Sequence, residues 1–327
     1  MRRWIIVAMV MAMAAVSCQR RQFADWTTGV NLKLDIHTEI VNSGTVPMPE
    51  IMRVDLFDPS TGDLKHTDYV GPQGGYIYPP PGTYNMIIYN FGTEATIVRN
   101  ERHYNKVEAY TNEVSAFLKS QIAEFLKSRA KAKASRERTK VEDDEERIVY
   151  EPDHLFVGRV ESLEIPAILE EDEDREITIE VDAKSVVETW KVSLPNIEGL
   201  QWVRDAVAIM SGQVGSYFIG TDSDSDEVVS IYFELKKNEA EGTLVGQFNT
   251  FGKHPREKSE LSFDINITDT AGESHHFHFD VDDHFEDNPD FHIVVEEEIV
   301  IEEPKVEGGG FAPKVEDWEN VNTDIIL

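Results

Sequence analysis

The run His275-His276-Phe277-His278-Phe279-Asp280-Val281-Asp282-Asp283-His284 gathers side chains that can ligate a metal ion. On a strand, successive side chains alternate between faces, so His276, His278, Asp280 and Asp282 share one face while Phe277, Phe279 and Val281 point to the core. Adjacent imidazoles and carboxylates of this kind can chelate a divalent cation. A solvated sheet face produces the same alternation, and we assign the run to such a face, with no metal and no other cofactor. Asp222-Ser223-Asp224-Ser225-Asp226 starts like a calcium loop, but Glu227 stands where that loop needs Gly and Phe233 where it needs Glu. It reads as a polar hairpin tip. Catalytic signatures are missing: there is no nucleophile elbow, Gly-rich phosphate loop or HExxH. Asp153-His154 would need a nucleophile that the sequence does not place. Carboxylates are too numerous for any pair to mark a glycosidase. The chain reads as a non-enzyme.

Cys18 is the one thiol in the chain, so it has no internal disulfide partner. It closes a segment in which Arg2 and Arg3 precede an apolar run, Trp4 to Val16, too short to span a bilayer. Ala15-Val16-Ser17-Cys18 resembles a bacterial lipobox, in which small residues precede a cysteine that is diacylated and becomes the mature N-terminus. Residues 1–17 are therefore expected to be a lipoprotein signal peptide and Cys18 the lipidation site, with a membrane as the first partner. The location expected is the outer membrane. The polar tether Gln19-Arg20-Arg21-Gln22 leaves both its periplasmic and its surface face open. The chain carries 31 Lys and Arg against 62 Asp and Glu, a net charge of -31. A field of that sign repels nucleic acid, which is excluded as a partner.

Positioning falls to β structure. Met52 to Gly92 reads as strand, turn, strand, proline rim and buried strand. Asp58-Pro59-Ser60-Thr61-Gly62-Asp63 has turn chemistry, Pro79-Pro80-Pro81 belongs at a sheet margin, and Tyr84 to Asn90 is apolar enough to be covered on both faces. Asn31 to His37 alternates, as do Arg175 to Val181 and Trp190 to Leu194. Val228 to Leu235 and Gly242 to Phe251 add two strands, and Leu261 to Thr268 pairs with Ser274 to Asp282 across an Ala-Gly turn. Short strands without βαβ spacing argue for antiparallel β-sandwiches. One stretch is helical: Val114, Phe117, Leu118, Ile122, Phe125 and Leu126 recur at helical spacing, and Thr111 or Asn112 can cap them. Basic residues from Lys127 to Lys140 follow. The stripe is expected to dock on the first sandwich, leaving the basic end solvated rather than bound to an anionic surface.

Arg53-Val54-Asp55-Leu56-Phe57, Pro81-Gly82-Thr83-Tyr84, Tyr89-Asn90, His154-Leu155-Phe156-Val157-Gly158 and Trp318 together resemble the fimbrillin-type lipoproteins of Bacteroidales. That group includes fimbrial accessory and anchor proteins and uncharacterised lipoproteins of the same build. The resemblance implies two transthyretin-like or Ig-like sandwiches. These would be an N-terminal domain over residues 18–160 with a basic helical insertion at about 111–140, and a C-terminal domain over 161–310. It further implies contact with fimbrial subunits or other surface proteins, as accessory, anchor or adhesin. Residues 311–327 form an apolar tail, with Trp318, Ile325 and Ile326 as candidate partner-binding residues. The tail is expected to fold back on its own domain instead of adding a strand to a partner. The alternative function is capture of a glycan or other solute, which requires exposed aromatics such as Trp202, Tyr217 and Tyr232.

Overall fold

The computed structural model describes residues 31–39, 48–136, 147–167, 176–255, 261–285 and 288–304. The chain forms β1 (Asn31–Glu39), β2 (Ile51–Phe57), β3 (Leu64–Val70), β4 (Gly74–Ile77), β5 (Gly82–Phe91), β6 (Thr96–Arg99) and β7 (Glu108–Thr111). Two helices follow, α1 (Ala116–Gln121) and α2 (Ala123–Arg136), then β8 (Arg147–Tyr150), β9 (Phe156–Ile165) and β10 (Glu176–Ser185). Next come β11 (Glu188–Leu194), β12 (Ile197–Glu198), β13 (Val203–Val214), β14 (Ser216–Phe218), β15 (Ser223–Asp224) and β16 (Val228–Asn238). The described fold ends with β17 (Thr243–Thr250), β18 (Ser262–Asp269), β19 (Ser274–Asp280), α3 (Asp282–Phe285), β20 (His292–Val294) and β21 (Ile299–Val300).

The first sheet runs β3-β2-β5-β9-β10-β1-β4, antiparallel except where β1 lies parallel to β10. Strands β9 and β10 share only the pairs Lys184↔Val157 and Ser185↔Phe156. That short seam lets the sheet fold over itself into a sandwich. Met52, Val54 and Leu56 of β2 and Met86 and Ile88 of β5 then pack against Val181 and Ala183 of β10 and Ile77 of β4. The turn after β2 closes as its residue types require. Gly62 adopts φ 76° and donates its N–H to Asp58 O at 2.8 Å. The three prolines lie between β4 and β5, at a margin where no ladder donor is needed.

The second sheet runs β19-β18-β13-β16-β17-β11-β20, with β8 added parallel to β16. Its core takes alternate residues from each strand, among them Trp190, Met210, Phe233, Phe248, Phe263 and Ile265. The chain changes sheets between β10 and β11, because β10 pairs with β1. The expected boundary at 160/161 instead falls inside β9, and β8 belongs to the second sheet. Alternation identifies these strands but cannot say which distant partner each will meet.

Two features join the halves. A four-stranded sheet, β15-β14-β7-β6, takes two strands from each side of the helices. Beneath it lies an apolar cluster that includes Phe57 and Ile87 of the first sheet, Tyr104 and Val107 of the connection, and Tyr217, Ile219 and Phe251 of the second half. Glu108 accepts both Arg99 Nε and Nη2, at 2.8 and 2.7 Å, and Ser216 Oγ at 2.6 Å. The Arg99 hydrogen bonds hold its carboxyl below the usual range despite its burial.

Cooperative unfolding follows from this shared core. Ile87→Ala, at a fully buried position of the joining cluster, should cost about 2–5 kcal/mol. Calorimetry of the variant should show a single endotherm, shifted as a whole. Two endotherms, only one of them displaced, would mean that the halves unfold independently.

Candidate functional site

The helices do not dock on the first sandwich. Val114, Ile122 and Phe125 pack with Ile148 of β8 and Ile209 of β13, so the pair covers the outer face of the second sheet. Ser115, rather than Thr111 or Asn112, caps the start, its Oγ accepting the Leu118 N–H at 3.2 Å. Phe117 of the expected stripe stays exposed. The periodicity locates the apolar face of the helix, whereas its partner depends on where β8 and β13 meet.

Under α2 lies a polar cluster. Asp264 of β18 is almost wholly buried and accepts Arg129 Nε at 3.1 Å. Arg129 Nη2 donates to Ser211 Oγ at 2.6 Å and Ser230 Oγ at 2.9 Å. The other Asp264 oxygen lies 3.1 Å from His276 Nε2 and 2.7 Å from His278 Nδ1. Phe125 of α2 rests on His276, ring centres 5.5 Å apart. Burial alone would push the Asp264 carboxyl up. The histidine hydrogen bonds and the Arg129 charge outweigh it and hold the group well below the ordinary carboxylate range.

The face assignment of β19 therefore stands, with Phe277 and Phe279 against the core and the two histidines on the other side. The four residues His276, His278, Asp280 and Asp282 do not converge. Asp280 caps the Asp282 N–H and Asp282 accepts the Leu261 N–H, while the histidines turn to Asp264. Among the described residues, those whose donor atoms do gather are Asp269, Glu273 and His275. There Asp269 Oδ1 already accepts the Ala271 and Glu273 N–H groups, as the cap of its own turn. The acidic tip is also spoken for: Asp222 accepts the Tyr217 hydroxyl and pairs with Arg159 at 3.1 Å. His154 Nε2 lies 3.0 Å from Thr189 Oγ1, but Asp153 faces the Ala95 and Thr96 N–H groups and does not orient the ring.

Of the aromatics that a sugar platform would need, Tyr217 is buried, and Trp202 and Tyr232 are half-buried. Exposed large apolar residues cluster elsewhere. Ile51 pairs with Phe91, and the Phe91 ring meets Tyr69 edge-on at 5.3 Å. Cys18 and the candidates Trp318, Ile325 and Ile326 lie outside the described residues. Sequence reasoning missed Arg129 and Asp264. A signal was present for Asp264, which interrupts Phe263-Asp264-Ile265 at an outward position, but the covering helix offers five basic residues, Lys127, Arg129, Lys131, Lys133 and Arg136, and its sequence does not single out Arg129.

The cluster makes stability acid-sensitive in a defined sense. A carboxyl with a depressed folded value contributes stability above its unfolded value of about 3.9, and loses it as pH falls through the folded one. Asp264→Asn should therefore flatten the acid limb of a stability-versus-pH curve below about pH 4. Arg129→Met, which leaves Asp264 buried without its guanidinium, should cost up to about 3–5 kcal/mol at neutral pH. Urea midpoints of both variants across the acid range provide the check. A wild-type acid limb in Asp264→Asn would contradict the assignment.

With this geometry established, comparison with other proteins gives a consistent picture. Residues 17–234 match the model of a family described as "Domain of unknown function (DUF5119)". Over 241 residues the chain is 28% identical to a Bacteroides ovatus protein named "Putative fimbrium anchoring subunit Fim4B". The match covers 73% of this chain and 62% of that protein, so the chain spans less than two thirds of its relative's length. The fold is similar to the crystal structure of a "putative adhesin" from Bacteroides ovatus, with TM-score 0.60, 21% identity, and 88% and 98% of the two chains covered. It is also similar to that of "putative polysaccharide binding proteins (DUF1812)" from Bacteroides thetaiotaomicron, with TM-score 0.50, 10% identity, and 82% and 92% covered. At these identities the two structures show the fold alone.

Proposed function

The chain belongs to the DUF5119 family, and we propose that it is a fimbrial accessory or anchoring subunit at the cell surface, acting through contact with other fimbrial proteins. The observation that carries the reading is the 28% identity to the named anchoring subunit, which extends over 73% of this chain. Asp264, Asp222 and Asp153 are each engaged in holding elements together.

In this reading residues 1–17 are removed and Cys18 carries the lipid that fixes the protein to the outer membrane. Acyl chains contribute about 0.8 kcal/mol per buried methylene, so two or three hold a protein firmly. The apolar tail 311–327 packs in cis against the second domain, with Trp318 as its anchor. The partner then engages a surface of the folded domains.

Cys18→Ala should release the protein from membrane fractions and abolish incorporation of labelled fatty acid. Retention in the membrane without label in the wild type would contradict lipidation. Deleting residues 311–327 should lower the melting temperature while leaving co-purification with fimbrial subunits measurable. An unchanged melting temperature with complete loss of co-purification would mean that the tail works in trans.

A further inference from the structure

Strand β1 is gripped on both edges. It runs parallel to β10 through the register Asn31↔Glu176 to Glu39↔Lys184, and antiparallel to β4 through Leu32↔Ile77 to Asp35↔Gly74. It is the first strand among the described residues. Its neighbour β10 is the last strand of the first sheet in chain order, ending at Ser185 with β11 of the second sheet starting at Glu188. The exit from β10 is itself held: Val186 N–H donates to Leu155 O at 2.9 Å, and Val187 is buried in the cluster that joins the halves.

Parallel pairing decides how this ladder meets a pull. The N-terminal end of β1 and the C-terminal end of β10 lie at opposite ends of the pair. Tension applied ahead of Asn31 and beyond Ser185 therefore runs along the strands in opposing directions. The inter-strand hydrogen bonds lie across that direction and must fail together. Had the pair been antiparallel, both loaded ends would sit at one end and the bonds would open one after another.

We propose that the β1–β10 pair, with β4 on its other edge, is a shear clamp that carries tension between the N-terminal attachment and the part of the chain beyond Ser185. This rests on the anchoring reading, in which the chain is held at Cys18 and pulled from elsewhere. It goes beyond that reading by naming the element that resists the pull.

Single-molecule force spectroscopy on the mature chain, residues 19–327, tests the clamp without lipid or partner. One geometry pulls between the N-terminus and the C-terminus. The other pulls between the C-terminus and an attachment at Glu50→Cys, an exposed position that leaves β1 outside the loaded path. A high-force rupture, identified by release of the chain between β1 and β2, is expected in the first geometry and absent from the second. Asp35→Pro removes a backbone donor in mid-strand, opposite Glu180 and Gly74, and should abolish that rupture. Circular dichroism confirms that the variant is folded. The same rupture in both geometries, or its survival in a folded Asp35→Pro variant, overturns the clamp. Loss of membrane attachment or fimbrial binding in separate assays would overturn the anchoring reading and leave the mechanics intact.

Discussion

The contact on which the rest of the structure depends is the pairing of β7 with β14, Tyr110 to Ser216 and Glu108 to Phe218. It ties a strand that lies in the chain between β5 and β9 of the first sheet to one that follows the longest strand of the second. The apolar cluster that joins the halves is stacked on it. Phe57 and Ile87 reach it from one side, Tyr217, Ile219 and Phe251 from the other, and Tyr104 fills the space between, its ring meeting Phe57 edge-on at 5.6 Å. Arg159 of β9 secures the same seam, donating to the Ile219 carbonyl at 2.5 Å and lying over the Tyr217 ring. Two sandwiches joined by a bare linker would rotate freely. Here the joint is itself a hydrophobic core, so force or torque on one half is passed to the other through packed side chains.

This explains why some of the architecture was legible in the sequence and some was not. Met52 to Gly92 was readable because its information is local. Turn chemistry, a proline margin and a strand apolar on both faces each declare themselves within a few residues. The orientation of β19 was readable for the same reason, since alternation alone sends Phe277 and Phe279 inward. What failed was long-range choice. Arg175 to Val181 alternates equally well in either sheet, and only its pairing with β1 assigns it to the first. The helix showed its apolar face but not its receptor, because Ile148 and Ile209 become neighbours only after the second sheet has formed.

The polar site shows the same limit in chemical form. His276 and His278 were correctly placed side by side, yet the third member of their group is Asp264 on the adjacent strand, not Asp280 on their own. A hairpin brings i and j residues closer than it brings alternate residues of one strand, with about 4.5–5.5 Å between opposed Cβ atoms. Cross-strand partners therefore compete better for a histidine than same-strand ones. The guanidinium of Arg129 then pairs with the remaining carboxylate oxygen.

Why a charged pair should lie beneath this helix is a question of specificity more than of strength. An apolar face slides on an apolar sheet with little change in buried area, and the helix contributes few large side chains: Ile122 and Phe125 are buried, whereas Phe117 is exposed. Ion pairs of this depth are roughly neutral in net stability against well-packed apolar residues, because desolvation cancels most of the attraction. Their geometry is nonetheless exacting. Arg129 must meet Asp264, Ser211 and Ser230 at once, on three different strands, β18, β13 and β16. Any register shift of α2 along the sheet would leave a buried carboxylate uncompensated, which costs several kcal/mol. The apolar residues hold the helix down, and the arginine decides where it sits.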